Sequence, residues 1–227
     1  MKQKHVVMMI MMIIITILIL LGLQFLRTRE SDAFQFKKEY EALNGKKTTN
    51  GEKYLEVNIS KDSKVYYATY QQIMDLLDHG TGVIYFGFPE CPWCRNAVPV
   101  LLEAAEETPI DRIYYFNALS MRDKKSLDEN GNIITEQEGT EEYYQLVEAL
   151  RSVLGPYEGL NDDTILRLYF PTVVFVKDGE IIGSHEGTLN SQENPYIELS
   201  KSQKEELKQV YVNFIHKVLG DLCDDKC

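Results

Sequence analysis

The chain has 227 residues, 24 Lys and Arg against 35 Asp and Glu, a net charge of −11, and 44% hydrophobic residues. That length suits one domain with additions, and the apolar share is enough to build a core. The acidic balance excludes a nucleic-acid binder, because phosphate contacts need a Lys/Arg footprint, and it reads as a well-solvated surface.

The first element is not globular in character. Lys2 and Lys4 precede VVMMIMMIIITILILLGLQFL, an uncharged apolar run of 21 residues from Val6 to Leu26, against the ~20 that a helix needs to cross a bilayer. No small-x-small cleavage site follows and no cysteine sits in a lipobox-like position, so the pattern is that of an uncleaved signal anchor. Lys2 and Lys4 favour an inside amino terminus while Arg27 and Arg29 oppose it. The expected arrangement is a single-pass membrane anchor over residues 1–30, with the remainder outside the cytoplasm in a bacterial cell envelope.

Residues 31–63 are mainly polar, with a short helical pattern at Phe36, Tyr40 and Leu43, and read as a stalk and small N-terminal extension. Tyr54 to Ile59 alternates weakly, like an edge strand, and Val65 to Tyr67 is a second short strand. Thr69-x-x-Gln72 is a capping-box pattern that opens a helix with Ile73, Leu76 and Leu77 on one face, closed near Gly80. Val83 to Phe88, VIYFGF, is apolar almost throughout, as in a strand buried on both faces. Cys-Pro-Trp-Cys follows at once and leads into a helix through Ala97, Val98, Leu101, Leu102 and Ala105. Arg112 to Asn117 is the next strand. Two strand–helix units in succession predict a parallel pair.

Residues 118–161 interrupt that rhythm. They hold a turn at Asn130-Gly131 and an amphipathic helix with Tyr143, Leu146, Val147, Leu150 and Leu154, and they are expected to pack on an edge of the fold. Thr172 to Val176 is a strand, Asp178-Gly179 a hairpin turn, and Glu180 to His185 the returning strand. Ser202-x-x-Glu205 is the expected cap of a last helix whose apolar face is Leu207, Val210, Phe214 and Val218. The domain is expected over residues 64–220, with a cysteine-containing tail at 221–227.

Four cysteines carry the chemistry: Cys91, Cys94, Cys223 and Cys227. At the start of a helix, free N–H groups and the helix dipole stabilise a thiolate at Cys91. Pro92 falls in the first turn, where its missing N–H costs little. Cys94 lies one turn on, more buried and within reach of a disulfide. The pair divides the work of thiol–disulfide exchange: Cys91 attacks or is attacked, and Cys94 resolves the mixed disulfide. The alternatives are half of a zinc site, which needs a second ligand pair that Cys223 and Cys227 would supply, and a structural clip. For Cys223 and Cys227 three uses are open: an electron relay to Cys91/Cys94, a bridge between chains, or a local tail disulfide, which is favoured. Asp128, Asn130 and Gly131 faintly echo a calcium loop, but Gln137 stands where a bidentate Glu is needed, so a surface turn is expected.

CPWCRNAVPVL, with Pro99 five residues past Cys94, FPTVVFVKDGE from Phe170 to Glu180, and Gly187 after the second hairpin strand together resemble the thioredoxin superfamily. The resemblance implies an α/β thioredoxin-like fold: a central mixed sheet flanked by helices, with the insertion placed before a cis-proline strand. It implies a cis Phe170–Pro171 bond beside the cysteines, with the backbone of Phe170 pairing with an extended substrate, and Trp93 and Phe170 as apolar walls near Cys91. Packing within the core is the alternative for both aromatic rings. Two departures stand out. Glu90 replaces the tryptophan before the first cysteine and opposes a thiolate there. Tyr85 replaces a buried aspartate thought to relay protons to the second cysteine. YFGFPECPWC also resembles, locally, the thioredoxin-like proteins that accompany bacteriocin export. The implied activity is a thiol–disulfide oxidoreductase acting on protein or peptide thiols and disulfides, reset by a redox partner and needing no metal or cofactor. The alternative is a thioredoxin-fold binding or accessory protein without turnover.

Overall fold

The computed structural model describes residues 2–28 and 30–220, in two units, Met1–Ser31 and Asp32–Cys227. The first unit is one helix, α1 (Lys2–Thr28). Its described large apolar side chains, between Val7 and Ile19, are exposed. Among the described residues no helix is long and apolar enough to cross a membrane, so the expected transmembrane helix is not found among them. The remainder of the apolar run, from Leu20, has side chains outside the described set.

The second unit opens with α2 (Asp32–Glu41) and continues through β1 (Val65–Tyr67), α3 (Tyr70–His79), β2 (Gly82–Phe86), α4 (Pro92–Glu106) and β3 (Ile113–Phe116). The hairpin β4 (Lys124–Leu127) and β5 (Ile133–Gln137) follows, then α5 (Glu141–Ala149), β6 (Thr172–Lys177), β7 (Glu180–Glu186) and α6 (Lys201–Leu219). The main sheet has the order β1-β3-β2-β6-β7. The first three strands are mutually parallel, β6 runs antiparallel to β2, and β7 runs antiparallel to β6. This mixed sheet flanked by helices fits a thioredoxin-like fold.

The period-2 pattern of the central strands divides the core into two layers. Val83, Tyr85, Tyr115, Val173 and Phe175 pack with residues of α2, α4 and α6. Ile84, Phe86, Val174 and Val176 pack with α3 and α5. All five residues of β2 are buried, as its uninterrupted apolar run demands. The Thr69–Gln72 capping box forms at α3. At the β6–β7 turn Asp178 and Gly179 both take positive φ, 51° and 80°, which matches the right-handed twist of the flanking strands.

Four expectations change. Residues 31–63 are not a stalk: Phe36 and Tyr40 of α2 are fully buried against the sheet, with the Phe36 ring centroid 4.9 Å from that of Tyr115. Tyr54 to Ile59 is extended but joins no sheet. The Tyr54 N–H donates to Lys46 O, and the backbone groups of Val57 and Ile59 are taken up by side chains, which meets the demand that buried N–H and C=O be paired. Asn44 brackets Val57 at both N–H and C=O, Glu41 accepts from Ile59 N–H, and Lys37 donates to Ile59 O. The insertion does not sit at an edge: Tyr143, Leu146 and Leu150 join α3 in covering one face of the sheet. Finally, α6 is capped by Ser200 with Gln203, not by Ser202 with Glu205. The buried residues of this helix are Leu207, Lys208, Tyr211, Ile215 and Val218.

Candidate active site

β2 delivers the chain into a short loop, Gly87 to Glu90, and Cys91 then caps α4. The Cys91 backbone is still extended, with φ −72° and ψ 117°, and Pro92 occupies the first turn. The Cys91 Sγ accepts the Cys94 N–H at 3.1 Å, doing at this helix start what a Ser or Asp oxygen does elsewhere. Antiparallel pairing of Phe86 with Thr172 brings the start of β6 to the same end of the sheet. There the Phe170–Pro171 peptide is cis, and the Cys91 thiol donates to Phe170 O at 3.5 Å. Gly187, with φ +70°, donates its N–H to Pro171 O at 2.7 Å, tying the end of β7 back to the same loop.

Cys91 and Cys94 are both free thiols, 4% and 0% exposed. Burial pushes the Cys94 thiol well up; its hydrogen bond with Cys91 and that group's charge add to this, while the Phe88 backbone and the Tyr85 hydroxyl act in the opposite direction. A group held protonated by its surroundings suits a resolving thiol, which should stay silent until the mixed disulfide has formed. The Tyr85 hydroxyl is 2.8 Å from that of Tyr40.

The outer wall is aromatic. Phe170 meets Phe88 edge-on with ring centroids 5.4 Å apart, and the Arg122 guanidinium lies 4.9 Å from the centre of the Phe170 ring. Trp93, Tyr169 and Phe170 then line a cleft of about 340 Å³ together with Glu158, Glu186 and Gln192. Phe170 packs against the core layer and also lines the cleft. The Glu186 carboxyl is pushed up by burial and then by Glu158; the two carboxyl groups stand together at this end of the cleft.

The structure brings Cys91, Cys94, Trp93, Phe170 and Pro171 to one place. Cys223 and Cys227 lie outside the described residues, so their pairing is not placed. Among the described residues no group of three or more His, Cys, Asp or Glu is arranged to hold a metal ion. Asp128 accepts from the N–H groups of Asn130 and Asn132, a local turn at the tip of the β4–β5 hairpin.

Sequence reasoning missed Arg95. It is 1% exposed and donates to Leu55 O at 2.6 Å, Tyr40 O at 2.8 Å, Pro89 O at 3.3 Å and Asn44 Oδ1 at 2.7 Å. One side chain next to Cys94 thereby ties α4 to α2 and to the segment before β1. A charged residue on the otherwise apolar stretch after Cys94 is the signal that could have found it.

Compared with known proteins, the sequence matches no family model, and no curated protein matches it. Among solved structures the chain is similar to the crystal structure of thioredoxin from Aeropyrum pernix, at 18% identity, over 64% of this chain and 86% of that one, with a TM-score of 0.31.

Proposed function

We propose that this chain is a thiol–disulfide oxidoreductase that uses Cys91 and Cys94 to exchange with protein or peptide substrates. The observation that carries the reading is the pair itself: two free thiols at the start of α4, with Cys91 Sγ between the Cys94 N–H and Phe170 O. The outer cysteine caps α4 with its Sγ on the Cys94 N–H, and the inner one is held protonated and close enough to displace a bound substrate. The cleft walled by Trp93 and Phe170 receives the residue flanking the substrate cysteine. A redox partner of the same chemical class, a protein dithiol or disulfide, resets the pair. The run from Val6 to Leu26 supports a membrane-tethered protein whose second unit lies outside the cytoplasm; protease accessibility in intact cells against lysed cells tests that arrangement.

One observation favours a second reading. Cys91 is only 4% exposed, which suits a thioredoxin-like binding or accessory module that holds a peptide in the cleft without turnover. Reduction of a disulfide-linked peptide by the full chain separates the two. Exchange that Cys91→Ser abolishes supports the enzyme; peptide binding that Cys91→Ser preserves, with no exchange in wild type, supports the binder.

A further inference from the structure

Arg95 fastens the active-site helix to α2, and the residue after it fastens the same helix to a different part of the fold. Asn96 lies on α4 and is 4% exposed. Its Nδ2 donates to Pro195 O at 2.8 Å and to Pro92 O at 3.5 Å, and its Oδ1 accepts the Leu199 N–H at 3.0 Å. Pro195 and Leu199 belong to residues 187–200, which join β7 to α6 with no helix or strand of their own. Loops of that kind become uncommon beyond about 12–15 residues, and those found in ordered domains tend to carry function.

The first part of this loop is a wall of the cleft described above: Thr188, Leu189, Asn190 and Gln192 line it together with Trp93 and Phe170. A chain of buried polar bonds joins that wall to Asn96. The Thr188 hydroxyl donates to Gln192 Oε1 at 2.5 Å, and Gln192 Nε2 donates to Ile197 O at 2.9 Å. Ile197 stands between Pro195 and Leu199, the two residues that Asn96 holds. Thr188 and Gln192 are 6% and 9% exposed. Two other anchors tie the loop to its flanking elements: His185 Nε2 of β7 is 2.6 Å from Thr188 O, and Gln203 Nε2 of α6 donates to Ser191 O at 3.2 Å. Asn96 ties it to the helix that carries the cysteines.

We infer that Asn96 is a positioning residue for substrate: it holds residues 195–199 on α4 and so keeps the Thr188–Gln192 wall in place for the peptide that flanks a substrate cysteine. The inference rests on the oxidoreductase reading above and adds to it where peptide selectivity comes from. An alanine at position 96 leaves the buried Leu199 N–H and the Pro195 carbonyl without their partner, which a buried backbone group does not tolerate without moving. The segment then shifts, and the Ile197 carbonyl that orients Gln192 shifts with it. A wall already built when the peptide arrives spares binding the cost of ordering it. Loosening the wall therefore weakens peptide binding, while the sulfur chemistry of Cys91 at the helix start is left as it was.

The test uses the full chain with Cys223→Ser and Cys227→Ser, reduced and in excess over two probes. One is Ellman's reagent, a small aryl disulfide. The other is a capped peptide whose single cysteine, between two leucines, is joined to the same aryl thiol. With the peptide probe the Cys91 thiolate attacks the peptide sulfur, forming the mixed disulfide and expelling the coloured aryl thiolate. Cys94 then loses its proton and attacks the Cys91 sulfur, and the peptide sulfur leaves and takes up a proton. The cysteine pair gives up two electrons and the probe disulfide takes them. The release rate against protein concentration gives a half-saturation and a plateau. Asn96→Ala should raise the half-saturation for the peptide about tenfold, and leave the plateau and the rate with Ellman's reagent within about twofold. Thr188→Val, which frees Gln192 Oε1 with a side chain of the same shape, should raise it in the same sense. An unchanged half-saturation in Asn96→Ala overturns the inference, as does equal slowing with both probes, which would make Asn96 structural. If Asn96→Ala does not fold, Thr188→Val decides, and an unchanged half-saturation there overturns the inference. If wild type releases nothing from either probe, the oxidoreductase reading fails instead, and binding alone tests the loop. Trp93 is the one tryptophan of the chain and lines the cleft, so its fluorescence reports binding of the S-methylated peptide. A Kd about tenfold higher in Asn96→Ala supports the inference; an unmoved Kd, or no binding by wild type, overturns it.

Discussion

Replacing Arg95 with Met keeps the aliphatic stem and removes the guanidinium. Three of its four hydrogen bonds are 2.6–2.8 Å long, and bonds to charged groups contribute about 1.5–3 kcal/mol each. Against that, burial of the guanidinium itself is costly, as its lowered pKa records, and the substitution returns several kcal/mol of desolvation. Asn44 Oδ1 keeps a second donor in Val57 N–H, so it is not left unpaired, whereas Leu55 O loses the bond that Arg95 gives it. The balance is a loss of about 3–5 kcal/mol in unfolding free energy. Urea unfolding measures it, and amide hydrogen exchange locates it: the Val57 and Ile59 amides should lose protection before those of β2 and β6. A loss under about 1 kcal/mol, or protection falling evenly across the domain, would refute the idea that Arg95 fastens α2 and residues 53–59 to the active-site helix.

Four further outcomes are expected. Cys94→Ser should trap substrate on Cys91 as a stable mixed disulfide visible by intact mass, while Cys91→Ser should trap none. His185 is pushed below the ordinary histidine range by burial, so the unfolded chain binds its proton first on acidification. Stability should therefore be full above about pH 6.5 and fall as pH drops from there through the lower folded value. His185→Asn should flatten that slope in urea titrations. Glu186 shifts the other way, raised by burial and Glu158: its contribution is most favourable below the ordinary carboxylate range and is lost as pH rises through the folded value, so Glu186→Gln should raise the melting temperature at neutral pH and leave it nearly unchanged in acid. A Cβ on Gly183 would stand 2.1 Å from the Phe214 ring, which itself stacks on Phe175 at 4.8 Å; Gly183→Ala should cost about 1–3 kcal/mol in unfolding free energy.

What could be read from the chain was local. The Thr69–Gln72 box, the Asp178-Gly179 turn and the apolar run at Val83 each specify their own geometry within a few residues, and each formed as its chemistry dictates. What could not be read was set by partners far along the chain. Phe36 and Tyr40 belong to a short apolar pattern in a mainly polar stretch, and their burial depends on Tyr85 and Tyr115, more than forty residues on. The β4–β5 hairpin left little trace beyond Asn130-Gly131, because every residue of β5 is exposed and no apolar alternation marks it. At the site, the spacing of Cys91 and Cys94 was plain, while the bonds of Arg95 and Asn96 were not. A buried arginine bonded to carbonyl groups leaves no acidic partner in the sequence to betray it.

Equilibration of the Cys91–Cys94 pair with graded glutathione buffers, followed by thiol trapping and mass analysis, tests the central claim most directly. The account predicts one reversible two-electron transition to an intramolecular Cys91–Cys94 disulfide, with a potential between about −120 and −300 mV. Glutathione retained on Cys91 that Cys94 never displaces, or two thiols that stay reduced at every buffer ratio, would contradict it.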